Sequence, residues 1–379
     1  MRADQTKPGN SNRLFDKIGS RANRFDQIRL SLALLVVLGH SWYLSAGPDA
    51  HVPLEGLTLM GFHQYSVFLF FFIPGFLVTE SARRRQGDMA GFVLARMLRI
   101  FPALIVCAVL TPVVLIGFGA WENASASDAL RYAFRLIGLI AIEFNVDGAF
   151  ANLPFANSVN GSVWSLRHEV GVYALLAIFA ATGMFFTHRI MLALFAGTVI
   201  AIAAFGHALA GKVDGGPLFL VFETRYVIVA FLIGVLAHRA AGLIRLSWPA
   251  ALGLLAAALA AGQILPEAIG IYAIGTAFSY LVLCAAYLGR DPAGLKHDVS
   301  YGVYIYGWPV QQLAVMTHIA AYGVAPGPLM VFLLSAPLLV AIGTVSWLLI
   351  EKPALGLQKT LRRMPRGGRN PVGAMAGTK

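Results

Sequence analysis

The sequence predicts an all-α polytopic membrane protein. Of its 379 residues, 58% are hydrophobic and only 12% are charged, whereas soluble domains carry roughly 25% charged residues. A soluble fold of this length has too little interior to bury that much apolar surface. The apolar residues also lie in blocks of about 20, the length that a helix needs to cross a bilayer core about 30 Å thick. The chain therefore requires the lipid bilayer as part of its solvent.

The apolar blocks predict about ten transmembrane helices and one further, shorter helix. The ten are expected near residues 26–46, 64–82, 90–118, 161–186, 189–210, 217–239, 247–264, 268–288, 300–322 and 327–350. The segment 130–144 is short for a span and carries Arg131, Arg135 and Glu143. We interpret it as a re-entrant or interfacial helix.

The basic residues predict the orientation, because positively charged loops stay on the cytoplasmic side. Lysine and arginine concentrate near both ends of the chain and in alternate connections, and the net charge is +11. We expect a basic cytoplasmic tail (1–24), a transmembrane domain (25–354) and a second basic cytoplasmic tail (355–379). A charge distributed in this way reflects topology, so nucleic-acid binding is not expected.

The cysteines and the loop histidines give no sign of a metal site. Cys107 and Cys284 each lie inside an apolar block, as small packing residues do. His51 and His63 fall in a predicted outer loop, where their pattern does not favour metal binding. We therefore expect neither a bound metal nor a disulfide framework.

Ionisable residues at membrane depth are costly and mark functional sites. Arg29 and His40 lie eleven residues apart in the first predicted helix. At 100° and 1.5 Å per residue they share one face and are separated by about 16 Å along the axis. Alternatively, Arg29 is a snorkelling interface anchor and His40 a packed polar residue.

Arg96 and Arg99 begin the third predicted helix and share a face, because residues i and i+3 are neighbours on a helix. Two guanidinium groups on one face form a fork suited to phosphate oxygens. The alternative is a topological role only, as expected for Arg83, Arg84 and Arg85.

Glu169 lies one to two turns inside the next span, where a lone carboxylate needs a partner. The predicted topology brings His40 and Glu169 to a similar depth. It permits a His–carboxylate contact in which the carboxylate orients the imidazole. A structural ion pair is the alternative. Together, an arginine cluster at the cytoplasmic face and a histidine near the outer face suit group transfer across the bilayer.

These residues resemble the motifs of the acyltransferase-3 family of membrane acyltransferases, which includes bacterial O-antigen and exopolysaccharide O-acetylases. The resemblance covers about residues 24–354. The matching elements are Phe25-Asp26-Gln27-Ile28-Arg29 with His40, Ser66 to Leu77, Arg96-Met97-Leu98-Arg99, Trp164-Ser165-Leu166 with Glu169, Ser300-Tyr301 with Tyr304 and Pro309, and Glu351-Lys352-Pro353. The chain departs from the pattern at Pro74, where relatives usually have serine, and at Gly307, where many have histidine.

The resemblance implies a transmembrane O-acyltransferase, with acetyl-CoA as the expected donor and a sugar as the expected acceptor. The acyl group would move from cytoplasmic acyl-CoA, a donor substrate and not a resident cofactor, to a hydroxyl of an extracytoplasmic glycan or glycolipid. It would do so in the bacterial inner membrane. The resemblance predicts no oligomeric state.

The same resemblance assigns roles to residues. His40 is implied as catalytic, with Glu169 as its expected partner, and the three arginines Arg29, Arg96 and Arg99 are implied as essential. Their binding of the CoA phosphates is our physical inference. Further motif positions are Asp26, Trp164, Ser165 and Tyr301.

Two questions about function stay open at this point. His40 acts either as a general base or as a transient acyl carrier. The alternative to an enzyme is a proton-coupled transporter or flippase of an anionic solute, although the sequence has no internal repeat of the kind that transporters often show.

Overall fold

A computed structural model of the chain describes residues 12–20, 22–139, 146–209, 225–289 and 297–363, without the side chains of 202–209 and 358–363. Within these ranges the chain is helical and forms no β-sheet, with two isolated β-bridges between Arg13 and Arg245 and between Trp121 and Ala149. The predicted all-α class is confirmed.

Helices make up most of the described ranges. In order they are α1 (Leu14–Lys17), α2 (Phe25–Ala46), α3 (Glu55–Thr58), α4 (Phe62–Arg84), α5 (Met89–Gly117), α6 (Ala126–Gly138), α7 (Leu166–Ala181), α8 (Arg189–Leu209), α9 (Arg225–Arg239), α10 (Trp248–Gly262), α11 (Glu267–Tyr287), α12 (Ser300–Tyr322), α13 (Pro328–Ser346) and α14 (Lys352–Arg363). A 3₁₀ turn, Gly161–Ser165, precedes α7, and a π-helical turn, Trp347–Glu351, joins α13 to α14.

Helices occur at each of the ten predicted positions, although residues 217–224 of one lie outside the described ranges. Six helical segments in the described part of the chain are long and apolar enough to cross a membrane: Phe25–Ala46, Phe62–Arg84, Met89–Gly117, Gly161–Ala181, Glu267–Tyr287 and Pro328–Leu357. The chain is therefore a helical membrane protein. The count of about ten spans, their orientation and the tail boundaries stay predictions.

Helix α6 occupies most of the segment predicted to be re-entrant or interfacial. It begins with a serine cap, in which the Ser125 hydroxyl accepts a hydrogen bond from the Asp128 backbone N–H at 3.2 Å. Its buried face carries Tyr132 and Leu136, whereas Phe134 on the opposite face is exposed. Glu143 and the rest of 140–145 lie outside the described residues, and the re-entrant or interfacial placement stays a prediction.

Part of the basic N-terminal segment packs against the helical domain. Leu14 is fully buried, and its backbone N–H donates to the Ile244 carbonyl at 2.9 Å. The Leu246 N–H in turn donates to the Asn12 carbonyl at 2.8 Å. These bonds attach residues 12–20 to the connection between α9 and α10.

Helix α4 lies at the centre of the bundle. In its most apolar stretch 78% of the residues are buried, a larger share than in any other candidate span of the described residues. It packs most closely on α9 through two glycines. A Cβ atom on Gly75 would lie 2.3 Å from the Phe231 carbonyl oxygen, and one on Gly234 would lie 2.3 Å from the Phe72 carbonyl oxygen. No side chain fits at either position, because the backbones themselves are in contact.

Helices α2 and α12 lie side by side and run in the same direction. Near their starts Arg29 bonds to Asp298, two residues before α12. Further along both helices, the Gln311 side-chain amide donates to the Val37 carbonyl and to the Ser41 hydroxyl, each at 2.8 Å. The parallel pair carries the two ends of the candidate site.

The Gly75→Val substitution should lower thermal stability strongly, because the added side chain meets backbone atoms that cannot move independently of their helix. Overpacking costs typically about 1–3 kcal/mol, and we expect the upper end of that range here. The melting temperature in detergent, followed by size-exclusion chromatography, measures the effect. Gly171→Val is the matched control, since a Cβ there meets nothing within 4 Å. Equal melting temperatures for the two variants would contradict the close contact.

Candidate active site

A buried carboxylate joins two of the predicted arginines. Asp298 forms ion pairs with Arg29 of α2 and Arg99 of α5, and the Arg99 Nη2–Asp298 Oδ2 distance is 2.5 Å. The Asp298 side chain is only 11% exposed. Burial raises the pKa of Asp298, but the two guanidinium groups lower it by more, so the net pKa lies well below its usual range. Asp298 therefore stays ionised between the arginines.

A second carboxylate reaches Arg99 from the π-helical turn. Glu351 Oε2 lies 3.5 Å from Arg99 Nη1, and Glu351 Oε1 accepts a hydrogen bond from the Ser346 hydroxyl at 3.0 Å. The guanidinium of Arg99 also lies between two aromatic rings, 5.9 Å from the centroid of Tyr301 and 5.8 Å from that of Trp347. These contacts hold Arg99 in one orientation.

Arg96 faces a different pair of groups. Its guanidinium lies 5.9 Å from the ring centroid of Tyr173, and the Tyr173 hydroxyl donates to Glu169 at 2.5 Å. The Arg96 Nε–H is buried and has no hydrogen-bond partner among the described residues. Arg96 thus has an N–H group that is available to a ligand, whereas Arg99 is bound by two carboxylates.

The three arginines, Arg29, Arg96 and Arg99, line one cavity of about 120 Å³. Its wall is apolar on the α4 side and polar on the side of α7 and α12. The other lining residues are Val67, Phe70, Phe71, Ile73, Pro74, Leu77, Val78, Ile100, Ser165, Leu166, Glu169, Tyr173, Ser300, Tyr301 and Tyr304. We call this space the arginine cavity. It brings together residues of five helices that are far apart in sequence.

Two hydroxyl groups of the cavity wall bond to each other. Ser165 and Tyr304 form a hydrogen bond of 2.8 Å between their side-chain oxygens. Nearer the arginines, the Tyr301 hydroxyl donates to the Ile100 carbonyl at 2.8 Å. Ser165 and Tyr301 were predicted as motif positions, and both are part of the cavity wall.

His40 is not among the residues that line the arginine cavity. One turn after Tyr304, the ring of Trp308 contacts His40 with a centroid separation of 4.9 Å. Gly161, one turn before Ser165, packs against the same tryptophan, since a Cβ there would lie 2.9 Å from its ring. Helix α12 and the turn Gly161–Ser165 therefore both extend from the arginine cavity to the neighbourhood of His40. We call the region of His40 and Trp308 the histidine end.

The predicted contact between His40 and Glu169 is not found. Glu169 lies in the arginine cavity, whereas His40 is not among the residues that line it. The reason lies in the turn Gly161–Ser165 that precedes α7. That turn occupies the depth of Trp308, so Glu169 lies two turns further toward the arginines, where opposite charge stabilises it.

Two further motif positions lie at the edges of the site. Asp26 is exposed in the first turn of α2. Trp164 packs its ring near His168, at a centroid separation of 5.8 Å, and near Tyr226, at 6.3 Å. Neither lines the arginine cavity, so their roles as motif residues stay predictions.

His63 is a residue whose position the sequence did not predict. It was expected in an outer loop, but α4 begins at Phe62, and His63 is buried in its first turn. Its ring centroid lies 6.0 Å from that of His40. Helix α4 begins two residues before the predicted start, where the Gly61 N–H donates a hydrogen bond to the Gln64 side chain at 2.9 Å.

Asp298→Asn should destabilise the protein, because it leaves Arg29 and Arg99 with a buried charge that is no longer neutralised. Breaking one side of a buried ion pair costs about 3–5 kcal/mol. The melting temperature in detergent should fall clearly below that of Asp49→Asn, a control at an exposed aspartate.

A double-mutant cycle tests the pairing itself. Removing both charges, with Arg29→Gln and Asp298→Asn together, should cost less than the sum of the two single substitutions. Additive losses would show that the two side chains do not depend on each other.

Comparison with known proteins identifies the family to which the chain belongs. Residues 23–351 match the acyltransferase-3 family, described as an acyltransferase domain. The chain is 28% identical over 356 residues to an O-acetyl transferase of Shigella phage Sf6, covering 88% of this chain and 96% of that protein. It is 29% identical over 376 residues to Nodulation protein 10 of Rhizobium leguminosarum bv. viciae, covering 89% and 95%. No solved structure gives a significant match. The chain belongs to the acyltransferase-3 family and is an acyltransferase of the membrane.

Proposed function

We propose that this acyltransferase moves an acetyl group from cytoplasmic acetyl-CoA to a hydroxyl of an extracytoplasmic glycan or glycolipid, in the bacterial inner membrane. One observation carries the proposal. Helix α12 lines the arginine cavity with Tyr301 and Tyr304 and, one turn later, contacts His40 through Trp308. A donor anchored at the arginines is thereby aligned with a path toward a histidine. The name of the phage relative, an O-acetyl transferase, supports the acetyl group.

The arginines are suited to a donor that carries phosphates and amides. Arg96 has a buried N–H without a partner among the described residues, and Arg29 is still 23% exposed. Arg99 is held by two carboxylates and aromatic rings. In our proposal Arg96 and Arg29 contact the donor, and Arg99 fixes the wall against which the donor lies. Charge-assisted hydrogen bonds of this kind are the strong ones.

The distance to be crossed matches an extended arm. Arg29 and His40 are about 16 Å apart along α2, from 1.5 Å of rise per residue. The pantetheine arm of CoA is a linear chain that ends in the thioester. For the thioester to approach His40, it must pass the hydroxyls of Ser165 and Tyr304, which bond to each other in the wall of the arginine cavity. We propose that the donor's arm replaces this bond.

His40 is the proposed general base at the far end of the path. It takes the proton of the acceptor hydroxyl while the hydroxyl oxygen attacks the thioester carbonyl carbon. The carbon–sulfur bond then breaks, and His40 returns the proton to the leaving thiolate of CoA. Glu169 does not contact His40, so its proposed role is to hold Arg96 and Tyr173 in the arginine cavity.

His40→Ala should abolish acetyl transfer, since general-base catalysis contributes about 10²–10⁴-fold to the rate. The measurement is the O-acetyl content of cell-surface glycans, determined by mass spectrometry in cells that carry each variant. His51→Ala is the control, because the His51 side chain is 99% exposed in a loop. Unchanged acetylation with His40→Ala, or no glycan acetylation by the wild-type chain, would refute the proposal.

Arg96→Ala should weaken binding of acetyl-CoA to the purified protein by about 10- to 100-fold, the equivalent of one charge-assisted hydrogen bond of about 1.5–3 kcal/mol. Arg99→Ala should also weaken it, through loss of the fixed cavity wall. Arg84→Ala is the control, because Arg84 pairs with Glu80 at 2.6 Å and does not line the arginine cavity. Equal losses in all three variants would mean that the arginines supply bulk positive charge only.

A further inference from the structure

Two buried imidazoles face each other at the histidine end. His40 of α2 is 8% exposed and His63 of α4 is 6% exposed. Their ring centroids are 6.0 Å apart, and the ring planes are inclined by 63°. His63 comes from the start of α4, whose later part forms one wall of the arginine cavity. The two imidazoles are thus placed by two different helices of the same site.

Glycines hold His63 in this position. A Cβ atom on Gly39, one residue before His40, would lie 2.2 Å from the His63 Cβ. A Cβ on Gly61 would lie 2.5 Å from the His63 Cε1 atom. Any larger residue at either position would displace the His63 ring. The contact between α2 and α4 is therefore built around this side chain.

The spacing of the two rings fits a bridged pair. A direct N–H···N bond of about 2.9 Å between imidazoles would place their centroids about 5 Å apart, because each nitrogen lies about 1.1 Å from its ring centre. One hydroxyl oxygen bonded to both rings would place them about 6–7 Å apart. The observed 6.0 Å is longer than a direct bond would give and lies at the lower end of the range for one bridging oxygen.

Each ring also has an unused polar atom. His40 Nδ1 and His63 Nδ1 are both buried and have no hydrogen-bond partner among the described residues. The surrounding groups are largely aromatic: Trp308 lies 4.9 Å from His40, and Tyr43 and Phe62 lie 5.5 and 6.1 Å from His63. A buried polar atom without a partner costs free energy, so these nitrogens are prepared for a polar ligand.

A metal ion does not account for this pair. Among the residues that the structure describes, no group of three histidine, cysteine, aspartate or glutamate side chains could hold one. Zinc sites in proteins use at least three such ligands. A hydroxyl group, which donates one hydrogen bond and accepts another, fits the two imidazoles better than an ion does.

We propose that the acceptor hydroxyl binds between His40 and His63, so that His63 is a second catalytic residue of the acyl transfer. The inference rests on the proposed function and adds the place at which the acceptor reacts. His63 donates a hydrogen bond to the hydroxyl oxygen and orients it, and His40 removes its proton. The oxygen forms the new ester bond as the carbon–sulfur bond of the thioester breaks, and the proton passes from His40 to the thiolate.

The experiment compares two nearly isosteric substitutions at one position. His63→Gln keeps a hydrogen-bond donor, whereas His63→Met has a similar length and volume but no donor. Each variant is expressed in cells that lack the wild-type copy. The O-acetyl content of the surface glycans reports transfer to the acceptor, and binding of radiolabelled acetyl-CoA to the purified protein reports the donor site. His51→Met serves as the control for an exposed histidine.

His63→Met should reduce glycan acetylation at least tenfold, with acetyl-CoA binding within about twofold of the wild type, since a tenfold effect corresponds to the loss of about one hydrogen bond. His63→Gln should keep a substantially larger share of the activity. Acetylation by His63→Met at the level of His51→Met would overturn the inference. So would equal losses in both His63 variants together with loss of acetyl-CoA binding, which would make the role structural. If the wild-type chain itself acetylates no glycan, the proposed function fails first.

Discussion

The ion pairs of Asp298 are the interaction on which the rest of the site depends. This carboxylate binds Arg29 of α2 and Arg99 of α5 from the start of α12, so it joins three helices that are distant in sequence. Unpaired charges at this depth would be expensive, because desolvation is not repaid without a partner. Once the charges are paired, α2 and α12 are fixed side by side. The site residues on these two helices then lie along one direction, from the arginine cavity to the histidine end.

Backbone contacts then set the other helices around this pair. Gly75 and Gly234 bring α4 against α9, and Gly39 brings the start of α4 against α2. Glycine at these points lets packing replace a hydrophobic driving force that is absent between helices in lipid. The consequence is functional: α4 contributes to the arginine cavity near its middle and to the histidine end at its start. One helix therefore couples the geometry of both ends.

The sequence predicted what depends on composition and local spacing. The helical class, a helix at each apolar block and the shared face of Arg96 and Arg99 follow from hydrophobic blocks and helical periodicity. It could not predict Asp298 as a partner, because the two residues that it joins to α12 lie 269 and 199 positions away. Nor could it show that Glu169 lies away from His40, since the depth of this span depends on the packing of Gly161 against Trp308. His63 was missed because the predicted start of its helix was two residues late.

The two ends of the site differ in the kind of polar group that they contain, and this difference bears on the acyl transfer. At the arginine end, Asp298, Glu351 and Glu169 offset the charges of three guanidinium groups, so the cavity can persist in the membrane without its donor. At the histidine end, two imidazole nitrogens have no partner among the described residues. Differential binding accelerates a reaction only where interactions are completed in the transition state. Arg96 Nε at the arginine end and the two imidazole nitrogens at the histidine end can still make such interactions. Only the imidazoles can take up a proton, so the arginine end is suited to binding and the histidine end to chemistry.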